Sequence, residues 1–411
     1  MIEMDDIREK VILVAVETGG EEPAEKSLDE LAELAKTAKA EVVGRLIQAR
    51  ESIHPGTYIG KGKLEELKDL IWETEATGII CDDELTSVQL GNLEEELSCK
   101  IMDRTLLILD IFAARALSGE GKIQVELAQL RYRSSRLTGL GKSLSRLGGG
   151  IGTRGPGEKK LEMDRRLIRE RISRLKKELK DVERHRELIR NQRKQSGMKV
   201  AALVGYTSAG KSSLENALTG AGILEDAMLF STLDTTTRSL LLDGTQEILL
   251  TDTVGFIRKL PHHLVEAFKS TLEEAKYADI IIHVVDASNP QMDMQMYVVY
   301  ETLRELGAEG KPVITLFNKQ DRLEEPVKQR DFQADYSICT SAKTGQGLEE
   351  LKQALLEIIR RDQIYIERLF GFQDAWKIQL IRSKGQLMEE EYVAEGIQVK
   401  AYVPKEIYGK L

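Results

Sequence analysis

One octapeptide constrains the fold of this chain more than any other stretch: Gly205-Tyr206-Thr207-Ser208-Ala209-Gly210-Lys211-Ser212. It fits the pattern GxxxxGK[ST], follows the apolar run Val200 to Val204 and leads into a helix predicted over Ser213 to Leu218. Strand, loop and helix in that order are the setting such a loop requires. Its glycines let main-chain N–H groups converge on a phosphate chain. Lys211 is expected to reach the β- and γ-phosphates, and the Ser212 hydroxyl to ligate Mg2+. The helix N-terminus adds its partial positive charge. The fold expected around this loop is α/β, a doubly wound sheet with its ligand at the strands' C-terminal ends.

Three further motifs follow in the order a GTP site needs. Asp252-Thr253-Val254-Gly255 comes after the apolar run Ile248 to Leu250. Asp252 can hold Mg2+ through water, and the Gly255 N–H can meet the γ-phosphate. Asn318-Lys319-Gln320-Asp321 follows the predicted strand Val313 to Phe317. Asp321 can accept two hydrogen bonds from the guanine N1–H and exocyclic amine; adenine lacks that donor pair, so a buried carboxylate would be left unpaired. Ser341-Ala342-Lys343 could place a backbone N–H on the guanine O6. Between the first two motifs lies Phe230-Ser231-Thr232-Leu233-Asp234-Thr235-Thr236-Thr237-Arg238, where a switch threonine must close over Mg2+ and the γ-phosphate. Spacing leaves Thr232, Thr235, Thr236 and Thr237 open for that role. Phe256 stands where many GTPases carry a glutamine that orients the attacking water. A phenyl ring makes no such hydrogen bond, so slow intrinsic hydrolysis and a dependence on a partner are expected.

Upstream, residues 10 to 118 alternate between two periods. Val11 to Val16, Val42 to Ile47 and Gly78 to Cys81 read as strands; Leu28 to Ala38, Leu64 to Trp72 and Ser87 to Leu97 read as helices. That alternation predicts a small α/β domain over 1–118 with a mostly parallel sheet. The pattern then becomes helical. Ile123, Leu127, Leu130 and Leu137, and again Leu161, Ile168, Ile172, Leu175, Leu179, Val182 and Ile189, form a/d-type stripes, which predicts an antiparallel helical hairpin over 119–196. Its tip, expected as a loop over 139–157, holds eight glycines in nineteen residues, with Lys142, Arg146 and Arg154. Residues 122 to 199 carry 23 Lys or Arg against 9 Asp or Glu, a net +14 in a chain whose total is −9. A basic, glycine-rich tip suggests a segment that orders on a phosphate backbone. The competing reading is a GTPase switch whose hairpin docks a protein, but protein docking prefers aromatic and aliphatic anchors, and the tip offers mainly Gly, Lys and Arg. The GTPase domain is expected over 197–361 and a small α/β segment, with a strand at Val399 to Val403, over 362–411.

At 411 residues the chain is too long for a single ordinary core. No apolar run approaches the roughly 18 residues of a membrane helix. Met1 to Lys10 mixes Glu3, Asp5 and Asp6 with Arg8 and Lys10, so no secretory signal is expected. Cys81, Cys99 and Cys339 are far apart, which fits a reducing cytoplasm rather than a disulfide framework or zinc site.

With these residues placed, the chain resembles the HflX family of translational GTPases over nearly its whole length. The resemblance rests on GYTSAGKSSL at 205–214, FSTLD at 230–234, DTVGFI at 252–257, NKQD at 318–321 and, most specifically, QLRYRSSRLTGLGKSLSRLGGGIGTRGPGEKKLEMDRR at 129–166. It implies that Thr232 is the switch threonine that joins Ser212 on Mg2+, with Lys211, Thr232 and Gly255 closest to the chemistry. It also implies an N-terminal α/β domain, a two-helix stalk and then the GTPase domain. The partner implied is the large (50S) ribosomal subunit and its rRNA, met through residues 139–166. The role implied is splitting or rescuing stalled ribosomes under stress by a cytoplasmic factor that is monomeric when free. The family has been reported to use ATP as well. Two positions depart from the family pattern. Ser208 replaces an Asn that in related GTPases helps hold a potassium ion, which puts potassium stimulation in question. Thr235 replaces a Pro, loosening φ at one loop position.

Overall fold

A computed structural model describes residues 8–19, 23–147, 156–196, 198–220, 229–230, 236–243, 246–259, 269–325 and 329–411. Two compact units divide the chain. The first comprises residues 1–182 with 227–233 and 259–269, and the second the remainder.

The first unit is built on four parallel strands: β1 (Lys10–Glu17), β2 (Glu41–Ala49), β3 (Gly78–Cys81) and β4 (Lys100–Asp103), in the order β2-β1-β3-β4. The intervening helices are α1 (Ala24–Thr37), α2 (Lys61–Thr74), α3 (Ser87–Leu97) and α4 (Arg104–Arg115). Strands covered on both faces read as apolar runs, and Ile12, Leu13 and Val14 of β1 are fully buried. The last strand and helix of this set escaped the sequence reading. β4 has only four residues, and α4 opens on Arg104, a charged side chain that is nonetheless 2% exposed. Its guanidinium pairs with Asp82 at 3.0 Å and with Glu30.

The hairpin consists of α5 (Gly119–Leu147) and α6 (Pro156–Ser196). The stripes meet: Leu127, Leu175 and Leu179 are buried together, with Ile123, Leu130 and Ile172 against them. Arg171 reaches across to Glu126 at 2.7 Å, as antiparallel pairing requires. The expected tip loop is shorter than 139–157. α5 continues through Gly139 and Gly141 to Leu147. Residues 148–155, including Arg154, lie outside the described residues. Asp103 roots the hairpin on the sheet. It caps α4 through the Leu106 N–H at 2.8 Å, accepts the Tyr132 hydroxyl of α5 at 2.9 Å, and pairs with Arg136 of α5.

The second unit carries a six-stranded sheet of β5 (Lys199–Gly205), β6 (Thr237–Leu241), β7 (Glu247–Asp252), β8 (Ile280–Asp286), β9 (Val313–Asn318) and β10 (Tyr336–Cys339). The order is β10-β9-β8-β5-β7-β6, parallel except for β6. Its helices are α7 (Lys211–Thr219), α8 (Lys269–Tyr277), α9 (Met292–Glu305) and α10 (Leu348–Arg360). α10 buries Leu348, Leu351, Leu355, Ile358 and Ile359, a one-sided stripe. The tail from 362 forms a further antiparallel sheet of β11 (Gln363–Phe370), β12 (Gln386–Val393) and β13 (Gly396–Pro404), ordered β11-β13-β12. Ile378 and Ile381 of α11 (Ala375–Lys384) pack on one face with Ile366, Val399, Ala401 and Val403.

Candidate active site

The C-terminal ends of β5, β7 and β9 bring three of the four motifs together. Between β5 and α7 the loop folds so tightly that Gly210 adopts φ +96°, and an added Cβ there would collide with the Asn318 amide. Ser208 sits at φ +59° in the left-handed region, which Asn tolerates better than Ser. Lys211 is 7% exposed and donates to the Gly205 and Tyr206 carbonyls at 3.2 and 3.1 Å. Burial pulls its ammonium down to about 8, partly offset by the charge of Asp252. A lysine so placed, folded back on the loop's own carbonyls, is positioned for the phosphates that same loop would hold.

Asp252, at the end of β7, is fully buried and accepts the Ser212 hydroxyl at 3.0 Å. Two hard oxygen donors meeting at the foot of the phosphate loop fit Mg2+, which binds few protein oxygens and retains waters. Thr253 beside it donates to the Leu203 carbonyl at 2.6 Å, fixing β7 to β5. Val254 is 4% exposed. A Cβ at Gly255 would stand 2.9 Å from Lys211 Nζ and 3.0 Å from Thr207 Cα, so a side chain there would crowd the phosphate loop. Phe256 points into the protein, 2% exposed, and its backbone is bonded to the loop on both sides. Its N–H donates to Gly205 O at 3.0 Å, and its carbonyl accepts the Thr207 N–H at 2.8 Å.

Asn318 links the base end to the phosphate end. Its amide donates to Ala209 O at 2.9 Å, and its side-chain oxygen accepts the Ala342 N–H at 3.0 Å. Lys319 pairs with Asp286 at 2.6 Å, and Gln320 Nε2 donates to Phe317 O at 3.1 Å. The Ser341 hydroxyl donates to Asp321 at 2.6 Å and holds that carboxyl below its ordinary value. Asp321 and Lys343 are exposed, so the base end stands open to solvent and the carboxylate expected to be buried is not. A docked base would cover it.

Of the switch residues, Ser231, Thr232, Leu233, Asp234 and Thr235 lie outside the described residues. Phe230 belongs to the first unit, where its ring meets Phe112 edge-on at 4.7 Å; its side chain is a packing group there. Two residues went unread in the sequence. Asp286 ends the apolar run of β8 and holds Lys319; a carboxylate closing a core strand was the available signal. Glu215 on α7 is fully buried and accepts the Thr236 hydroxyl at 3.2 and 3.0 Å. Burial and then the Asp252 charge push its carboxyl up to about 7.

This sheet, with its loop-to-helix turn and its strand-end carboxylates, defines a P-loop GTPase. Comparison with known proteins gives the lineage. The family described as "50S ribosome-binding GTPase" matches residues 200–319, "GTP-binding GTPase Middle Region" matches 115–193, and "GTP-binding GTPase N-terminal" matches 25–113. The "GTPase HflX" of Lacrimispora saccharolytica is 66% identical over 411 residues, covering 100% of this chain and 97% of that protein. Those of Caldanaerobacter subterraneus and Escherichia coli are 50% and 39% identical, covering 100% and 97% of this chain and 95% and 92% of theirs. A solved complex of the Sulfolobus solfataricus GTP-binding protein with GDP aligns with a TM-score of 0.45 at 27% identity, over 86% of this chain and 99% of that one. The chain belongs to the HflX family of GTPases and hydrolyses GTP. Among the described residues no helix is long and apolar enough to cross a membrane.

Proposed function

We propose that this GTPase associates with the large ribosomal subunit, meets rRNA through residues 139–166, and splits or rescues stalled ribosomes under stress. The observation that carries the reading is the basic hairpin. Two paired helices, joined to the N-terminal sheet through Asp103, belong to a stretch, 122 to 199, of net charge +14. Such a charge is suited to a phosphate backbone. The family description "50S ribosome-binding GTPase" for residues 200–319 supports the same partner. A ribosomal partner puts the protein in the cytoplasm, acting as a monomer until it binds.

At the nucleotide site, Ser212 and Asp252, with Thr232 from the switch, would hold Mg2+, which supplies neutralisation of charge on the phosphate oxygens. The chain's own groups do the rest. Main-chain N–H groups from Gly205 to Ser212 cradle the phosphates, and Lys211 leaves the loop carbonyls for the β- and γ-oxygens. The Gly255 N–H faces the γ-phosphate. Asp321 reads the guanine edge, with the Ala342 and Lys343 backbone beside it. Phe256 is buried and offers no hydrogen bond to the attacking water, so orientation of that water falls to groups supplied by the partner. GTP favours the bound state, and hydrolysis releases the factor.

The test is cosedimentation with purified 50S subunits, with GDP or a non-hydrolysable GTP analogue, over a range of salt. Binding is expected with the analogue, with a steep salt dependence that falls in the Arg146→Ala/Arg154→Ala variant. Wild-type binding by that variant at every salt concentration would remove the tip as the anchor.

A further inference from the structure

Glu215 has no part in the motifs, yet it is the carboxylate that stands directly behind them. It lies three residues after Ser212 on α7, so both side chains leave the same face of the helix. Its side chain is fully buried. Both oxygens face the Thr236 hydroxyl, at 3.2 and 3.0 Å. Thr236 is held at its other end as well, because its carbonyl accepts the Asp252 N–H at 3.0 Å. A continuous path thus runs from the helix that carries Ser212, through Glu215 and Thr236, to the residue that accepts the Ser212 hydroxyl. The one cation paired with Glu215 among the described residues is Arg238, whose Nε stands 3.5 Å away and whose side chain is 36% exposed.

A buried carboxylate is expensive, and an apolar side chain of similar size would fill the same space at no desolvation cost. Burial stability therefore does not account for an acid at this position.

We propose that Glu215 is a positioning residue for the magnesium ion: through Thr236 it sets the backbone of Asp252. This rests on Ser212 and Asp252 being the magnesium ligands. Groups that stand behind ligands in this way typically tune metal affinity by about 10–100-fold.

The experiment is a magnesium titration of full-length protein with a fluorescent GDP and a fluorescent non-hydrolysable GTP analogue, read as nucleotide affinity, with melting temperature followed in parallel. Three proteins are compared: wild type, Glu215→Gln, which keeps the shape and one acceptor for Thr236, and Thr236→Val, which removes the donor. The Val variant is expected to need about tenfold more Mg2+ for half-maximal effect. The Gln variant, which keeps an acceptor, should shift in the same direction by less, and affinities in excess chelator should match wild type. A melting temperature that falls while the magnesium midpoint stays fixed would make Glu215 a stability residue and overturn the proposal. A wild-type protein whose nucleotide affinity ignores Mg2+ would overturn the ligand assignment beneath it. Only the first of those results leaves the ligands standing.

Discussion

Asn318 and Ala209 are joined by a 2.9 Å hydrogen bond that ties the base-reading strand end to the phosphate loop. Because Asn318 also accepts the Ala342 N–H, one side chain joins a motif 109 residues upstream to another 24 residues downstream. Replacing it by Ala leaves a loop carbonyl without its donor. Lost bonds of this kind cost about 1–3 kcal/mol. Asn318→Ala is expected to weaken GDP binding by roughly 10–100-fold, as measured by titration calorimetry. Unchanged affinity would mean the loop holds its shape alone.

Asp103→Ala should destabilise the first unit strongly. Asp103 is 1% exposed and serves the Leu85 and Leu106 N–H groups, the Tyr132 hydroxyl and the Arg136 guanidinium. Removing it takes the nearest carboxylate from the buried Arg136, leaving only Glu84 at 3.8 Å, and a loss of about 3–5 kcal/mol is expected. Urea denaturation followed by circular dichroism measures it; a loss under about 1 kcal/mol would show that Asp103 does not root the hairpin.

His283 gives a pH signature. It is 1% exposed in β8, and burial pulls its imidazole down to about 4. In the unfolded chain it titrates near 6.5. The folded value is the lower one, so protonation favours unfolding. Its contribution is complete above about 6.5 and declines as pH falls toward 4, by about 2 kcal/mol at pH 5. His283→Leu lacks this decline. Between pH 7.5 and 5 the stability difference should therefore move about 2 kcal/mol in the variant's favour in denaturant unfolding. A difference that stays constant with pH contradicts the assignment.

Residues whose role depends on local pattern were legible, and those whose role depends on three-dimensional neighbours were not. The strands ending in Gly205, Asp252 and Asn318 could be read because they are apolar runs followed by loop chemistry. β12 could not, since Glu389-Glu390-Glu391 hides its alternation, although it pairs with β13 along its length. The hairpin stripes were visible, but the glycines at 139 and 141 suggested a loop where the helix runs on to Leu147. The Phe230 ring packs on Phe112, a contact between distant segments that no local pattern announces. A lone Glu in a helix reads as solvent-facing, so Glu215 was invisible until the fold placed Thr236 over it.

On the proposed reading one carboxylate, the exposed Asp321 that accepts the Ser341 hydroxyl, selects guanine. The most direct test is calorimetric titration of wild-type and Asp321→Asn protein with GDP, ADP and xanthosine diphosphate in magnesium. Wild type should prefer GDP over ADP by at least roughly 100-fold. The variant, whose amide now offers a donor, should lose GDP affinity and gain affinity for the xanthine nucleotide, whose edge carries a carbonyl in place of the amine. Equal wild-type affinities for GDP and ADP, or a variant that still selects GDP, would contradict it.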